Sequence, residues 1–178
     1  MGHITLVTGG ARSGKSRHAQ DLAESVEGPR TYIATCPALD VEMRSRIERH
    51  RNDREDRGWT TIEEETDLIG VLNRTEGTVL IDCLTLWISN LMYHAEQTEA
   101  SVSEDGIAQK AGLLCEAARA RSGATILVTN EVGLGVVPAH ASGRLFRDLA
   151  GRCNQVVAAS ASQVVMLVSG IPMTLKDD

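Results

Sequence analysis

The sequence predicts an α/β fold: a mostly parallel sheet with helices on both faces. Three observations carry that reading. Short β-branched runs alternate with longer helix-forming stretches along the chain. The glycine-rich turn Gly9-Gly10-Ala11-Arg12-Ser13-Gly14-Lys15-Ser16 joins the first apolar run directly to a helix-forming stretch. The length of 178 residues suits one α/β unit, so 1–178 reads as a single domain.

The elements follow in order. Ile4 to Thr8 is an apolar strand, and Lys15 to Ser25 a helix. Strand Thr31 to Ala34 precedes an arginine-rich helix from about Val41 to Arg54 and a shorter one at Asp67 to Asn73. Strand Thr78 to Asp82, a β-branched run after a glycine, leads into helix Leu84 to His94. The polar stretch Ala95 to Ala100 reads as a flexible loop. Ser101-Val102-Ser103-Glu104 has capping-box spacing and starts a helix from Glu104 to Arg121. Thr125 to Thr129 and Val164 to Val168 are further buried strands on either side of helix Ser142 to Ala161. The tail after Gly170, which contains Pro172, reads as a short edge strand.

Composition narrows the function classes. A net charge of -6 and a pI near 5.4 disfavour broad electrostatic binding to nucleic acid or an anionic membrane, so any anion site must be local. Cys36, Cys83, Cys115 and Cys153 show neither CxxC nor Cys/His metal spacing, a pattern that fits a reducing cytoplasm better than disulfides or structural zinc. No apolar stretch approaches the ~18 residues of a membrane span.

The turn at Gly9 to Ser16 fits GxxxxGK[ST] in the context that gives this pattern meaning, between strand and helix. Glycines let successive N–H groups face phosphate oxygens, and the helix start adds its dipole. Lys15 then reaches the β- and γ-phosphates, and the Ser16 hydroxyl serves Mg2+. A purine nucleoside triphosphate is the expected ligand of this P-loop. Asp82, at the end of an apolar strand, stands where a second Mg2+-holding group belongs. A helix-capping aspartate is the alternative there.

Six arginines, Arg44, Arg46, Arg49, Arg51, Arg54 and Arg57, crowd one region of an otherwise acidic chain. On a helix Met43, Ile47, His50 and Arg54 share one face, placing His50 on a stripe to be covered. Neighbouring arginines favour a neutral imidazole and bind phosphate bidentately, which makes His50 a candidate nucleophile. A structural histidine on a solvated, charged helix is the competing account. Asn130 and Glu131 follow a strand directly, where parallel sheets bind ligands, and are candidates to contact the acceptor or metal; a cap or turn role is the alternative. Arg147, Arg152 and Asn154 serve the site or form an exposed polar face or subunit contact.

Several blocks together resemble one family: Val7 to Arg17, Tyr32-Ile33-Ala34-Thr35, Glu42-Met43 with Arg46-Ile47 and His50, Val128-Thr129-Asn130-Glu131-Val132-Gly133, the helix with Phe146-Arg147-Asp148, Ala150-Gly151-Arg152 and Asn154-Gln155, and Val168-Ser169-Gly170-Ile171. The chain resembles, over nearly its whole length, the bifunctional adenosylcobinamide kinase/adenosylcobinamide-phosphate guanylyltransferases of cobalamin biosynthesis. The resemblance implies a P-loop NTPase sheet related to recombinase-type ATPases, assembled as a homotrimer. It implies phosphorylation of adenosylcobinamide from ATP or GTP, then transfer of GMP from GTP to the new phosphate through a histidine-bound GMP, with His50 at the matching position. It further assigns guanine-nucleotide contacts to Thr35, Cys36, Pro37, Arg51, Asn52, Asp53, Arg54, Glu63 and Asp82. Where family members can carry a second histidine before the nucleophile, this chain has Arg49. A plain P-loop kinase would share Lys15, Ser16 and Asp82 but form no nucleotidyl-enzyme. A GTP-dependent switch would need a guanine-reading Asn-Lys-x-Asp motif, which the sequence lacks.

Overall fold

The computed structural model describes residues 2–37, 54 and 57–178. Its elements run β1 (Ile4–Gly9), α1 (Lys15–Glu24), β2 (Arg30–Ala34), β3 (Trp59–Glu63), α2 (Leu68–Asn73), β4 (Thr78–Asp82), α3 (Leu84–Gln97), α4 (Glu104–Ala120), β5 (Thr125–Val128), α5 (Ala141–Ser160), β6 (Gln163–Val168) and β7 (Ile171–Asp177). The expected helix from Val41 to Arg54 lies outside the described residues, apart from Arg54 itself.

Side chains in a strand alternate between faces, and here both faces are apolar. Leu6, Ile33, Val79, Ile81, Leu127 and Val164 point into the larger core, with α2, α3, α4 and α5. Their neighbours Val7, Tyr32, Leu80, Ile126, Val128 and Val165 point the other way, onto Ala19 and Ala23 of α1. The fold is therefore α/β with helices on both faces of one sheet, in the order β3-β2-β4-β5-β1-β6-β7. Every pairing is parallel except that of β6 with β7.

One register row crosses the sheet: Glu63, Ala34, Asp82, Val128, Val7 and Val165 stand side by side on successive strands. The carboxyl ends of β3, β2, β4 and β5 therefore finish level, and β1 runs two residues further, to Gly9. Four backbone bonds continue the ladder beyond that row, from Thr35 N to Asp82 O, Glu64 N to Ala34 O, Thr129 N to Val7 O and Glu131 N to Gly9 O, at 3.0–3.1 Å.

The structure departs from the expected elements in four places. β3 was not expected; Thr60, Thr61 and Ile62 after Gly58 supply its β-branched signal, but as an edge strand it is only half-buried. Helix α3 continues through Gln97, so most of the expected loop at Ala95 to Ala100 is helix or its last turn. The cap of α4 is Ser103 rather than Ser101, its Oγ accepting from Gly106 N at 3.1 Å. The tail after Gly170 is a full antiparallel edge strand, with Pro172 tolerated there because one side needs no ladder bond.

Two predictions test this packing. A Cβ on Gly123 would lie 1.9 Å from Gly77 O and 2.5 Å from its carbonyl carbon, a backbone collision that no rotamer relieves. Gly123→Ala should cost about 1–3 kcal/mol in urea unfolding; an unchanged midpoint would contradict this close approach. Burial pushes the Cys153 thiol from 9.0 up to about 12, with nearby Cys115 adding to it. The folded state thus favours the protonated thiol, a contribution that is complete below the unfolded value and lost as pH rises toward about 12. Stability should fall on the alkaline side of pH 9, less steeply in Cys153→Ala, as read from thermal unfolding across pH.

Candidate active site

The P-loop takes a shape that its glycines permit. Gly9 has φ 153° and Gly14 φ 94°. A Cβ on Gly9 would stand 2.6 Å from both Leu167 O and Ser13 Oγ, so only glycine fits. Arg12 is also left-handed at φ 58°, an unfavourable state for a long side chain. The surrounding loop holds it there: Ser13 N donates to Gly10 O at 3.3 Å, and Gly170 N donates to Ser13 O at 2.9 Å. Lys15 opens α1 and donates through Nζ to Gly10 O at 3.0 Å, which keeps its ammonium over the loop. The first-turn N–H groups of α1 face the same space. Ser13 Oγ is buried with no hydrogen-bond partner among the described residues, a polar group suited to a phosphate oxygen.

A cavity of about 540 Å³ opens beside this loop. Of the sequence-predicted residues, Ala11, Arg12, Lys15, Ser16, Cys36, Arg54, Asp82 and Asn130 stand on its wall. The loop residues Gly9, Gly10, Ser13 and Gly14 shape the backbone beside that wall. Because β5 lies between β1 and β4, Asp82 sits two strand spacings from Val7, roughly 10 Å.

Asp82 does not cap a helix. The N-cap of α3 is Cys83, while Asp82 Oδ2 accepts a hydrogen bond from Tyr32 Oη at 2.9 Å. Tyr32 in turn lies under Arg54, whose guanidinium carbon is 3.6 Å from the ring centroid. Burial pushes the Tyr32 phenol well above its ordinary value of 10.0, the Asp82 carboxylate adds to the rise and Arg54 opposes it. The phenol is consequently a neutral donor at any physiological pH.

Other predicted residues fall elsewhere. Thr35 is fully buried and off the wall: its hydroxyl donates to Cys83 O at 2.8 Å and accepts from Cys83 N at 2.7 Å, tying the end of β2 to the end of β4. Asn90 Nδ2 donates to Thr35 O at 2.8 Å and Glu65 O at 3.1 Å, locking the same corner. Pro37 follows Cys36 and accepts from its Sγ at 3.7 Å. Glu63 shares the register row of Asp82 but stands two strands away, exposed at the end of β3. Glu131 Oε1 accepts from Gly133 N at 3.1 Å, the turn role that was its alternative. His50, Arg51, Asn52 and Asp53 lie outside the described residues.

Asn130 reaches the cavity with its amide oriented: Nδ2 donates to Thr85 Oγ1 at 2.7 Å. Behind it, Asn154 Nδ2 donates to Asn130 O at 3.3 Å, and its Oδ1 accepts from Thr129 Oγ1 at 2.7 Å. Asn154 therefore braces the end of β5 that carries Asn130. Arg147 and Arg152 do not line this cavity; they line a separate, smaller concavity of about 310 Å³, where Arg147 pairs with Asp148 at 3.0 Å. Tyr32, Thr85 and Phe146 line the cavity without having been singled out as site residues. Tyr32 and Asp82 carry a signal in hindsight, since each sits at an alternate position facing α1, but their meeting depends on the β2–β4 register.

One hydroxyl and one carboxylate on the wall, Ser16 and Asp82, form a donor set that fits Mg2+, which commonly takes one or two protein oxygens and completes its shell with phosphates and water.

The chain matches the family described as cobinamide kinase / cobinamide phosphate guanyltransferase over residues 5–175. It belongs to that family. Its relatives include proteins named bifunctional adenosylcobalamin biosynthesis protein CobU from Escherichia coli K12, 39% identical over 97% of this chain and 99% of that one, and from Salmonella typhimurium LT2, 40% identical with the same coverages. The protein named CobP from Pseudomonas aeruginosa PAO1 is 40% identical, covering 97% of each chain. Among the described residues no helix is long and apolar enough to cross a membrane.

Cys36 provides a reporter for this cavity. It is partly exposed on the wall, whereas Cys83, Cys115 and Cys153 are buried, with thiols that burial pushes up. Iodoacetamide at pH 8 should modify one thiol per folded chain, located by peptide mass mapping at Cys36, and saturating GTP should slow it at least several-fold. An unchanged rate with GTP bound would place the nucleotide elsewhere.

Proposed function

We propose that this chain phosphorylates adenosylcobinamide with ATP or GTP, then transfers GMP from GTP to the new phosphate through a His50-bound intermediate, giving adenosylcobinamide-GDP and pyrophosphate. The observation that carries the reading is the convergence of the P-loop, Asp82 and Asn130 on one cavity in a chain that matches the family over residues 5–175. In the kinase step the substrate hydroxyl oxygen attacks the γ-phosphorus, its proton leaves, and the nucleoside diphosphate departs. In the second reaction a neutral His50 nitrogen attacks the α-phosphorus; the P–N bond forms as the bond to pyrophosphate breaks. An acceptor phosphate oxygen then forms the new P–O bond and releases His50.

The residues of the cavity divide this work. Loop N–H groups and Lys15 hold the β- and γ-phosphates, stabilising charge that moves onto the leaving group. Arg12 and Arg54, both on the wall, offer planar donors to phosphate oxygens, and Arg51, Asn52 and Asp53 complete the nucleotide contacts in this reading. Asn130, its amide fixed by Thr85, faces the acceptor. Ser16 and Asp82 would hold Mg2+, which would neutralise phosphate charge when bound. The reading includes one catalytic domain, a homotrimer by resemblance, a cytoplasmic location in keeping with the cysteine pattern, and no nucleic-acid partner for a chain of charge -6.

The test uses purified protein with Mg2+ and GTP labelled at the α-phosphate. After denaturation, wild type should retain label that survives base and is lost in acid, the behaviour of a phosphoramidate, and His50→Ala should retain none. If wild type carries no label yet still transfers the γ-phosphate to cobinamide, guanylyl transfer falls and a plain P-loop kinase remains.

A further inference from the structure

We propose that Tyr32 is a positioning residue for nucleotide transfer, its hydroxyl fixing the Asp82 carboxylate and its ring seating the Arg54 guanidinium. The inference rests on the reading of Asp82 and Arg54 as Mg2+- and nucleotide-facing groups. Three facts place Tyr32 between them. It is paired with Leu80 in the register, so Asp82, two residues further along the neighbouring strand, is its diagonal neighbour on the same face. Its hydroxyl donates to Asp82 Oδ2 at 2.9 Å, and its ring lies 3.6 Å from the Arg54 guanidinium carbon. All three side chains line the same cavity.

The chemistry makes this arrangement more than packing. An ionised carboxylate offers about four lone-pair sites. One bond from Tyr32 restricts the rotation of the group and leaves the other sites for a cation. The ring itself is held edge-on by Trp59, with centroids 6.2 Å apart, and Trp59 is anchored through Nε1 to Glu24 Oε1 at 2.9 Å. Tyr32 is only 8% exposed, so water substitutes poorly for its hydroxyl if it is removed. The face of the ring seats the Arg54 guanidinium on the cavity wall.

Removing the hydroxyl separates the two functions. Tyr32→Phe keeps the ring under Arg54 and loses only the bond to Asp82. Calorimetric titration of GTP should show the Mg2+-dependent gain in affinity reduced roughly 10-fold, the low end for a hydrogen bond to a charged acceptor. Affinity measured in EDTA should stay within about 2-fold of wild type, which a general loss of packing would not allow. Tyr32→Leu should additionally weaken GTP in EDTA, because it unseats Arg54. In the double variant Tyr32→Phe/Asp82→Asn the effects should not multiply, since the hydroxyl acts through that carboxylate. A wild-type Mg2+ response in Tyr32→Phe, or full multiplication with Asp82→Asn, overturns the inference alone. A wild-type Mg2+ response in Asp82→Asn overturns the reading of Asp82 as well, so the two failures are distinguishable.

Discussion

The structure depends on the hydrogen bonding of β5 to β1 on one side and β4 on the other. Val128 pairs with Val7 and with Asp82, so this single four-residue strand fixes the separation between the P-loop and the carboxylate that faces it. A parallel sheet delivers strand carboxyl ends to one edge, and the crossover helices cover its faces. Here β2, β4 and β5 end level and β1 runs two residues further, which brings four chain segments, far apart in sequence, to one cavity. A slip of one residue in either pairing of β5 would turn Asp82 toward the opposite core and dismantle the site.

Behind that edge the protein stitches its strand ends together with buried polar groups. Thr35 and Cys83 exchange two hydrogen bonds, Asn90 pins Thr35, and Asn154 joins the Thr129 side chain to the Asn130 backbone. Each is a local interaction worth on the order of 1 kcal/mol net, but leaving one partner buried and unpaired costs more. The polar network therefore acts by making displaced arrangements unfavourable. Thr35, a nucleotide contact by resemblance, is fully buried here and ties the end of β2 to the end of β4 that carries Asp82.

Much of this was legible in the sequence, and the reason is locality. The P-loop combines glycines, a lysine and a serine within eight positions, and its meaning depends only on the strand before and the helix after. Strand Thr78 to Asp82 was equally legible, because buried parallel strands are apolar on both faces. What depended on long-range register was not. Tyr32 and Asp82 are 50 residues apart, and no local pattern says that β2 and β4 will be neighbours. β3 escaped notice because an edge strand needs little apolar surface, and the separation of Arg147 and Arg152 from the nucleotide cavity turns on which side of α5 meets the sheet. The cap of α4 was misplaced by two residues, since Ser101 and Ser103 are chemically equal and only the backbone path chooses between them.

The electrostatics follow the same division between global composition and local arrangement. A chain of net charge -6 repels a triphosphate at long range, and at physiological ionic strength that repulsion is screened beyond about 8 Å. Binding must then come from groups close to the phosphates. Lys15 is only 9% exposed and is held over Gly10 O, so its charge acts where the dielectric is low and little reorganisation is needed. Arg54, 3% exposed and stacked on Tyr32, is in the same condition. Two buried cations and the loop's backbone N–H groups thus concentrate positive charge locally within a diffuse surface charge of opposite sign. An overall acidic surface and a nucleotide site are compatible because the first is spread over the molecule and screened, while the second is concentrated at the ends of four strands.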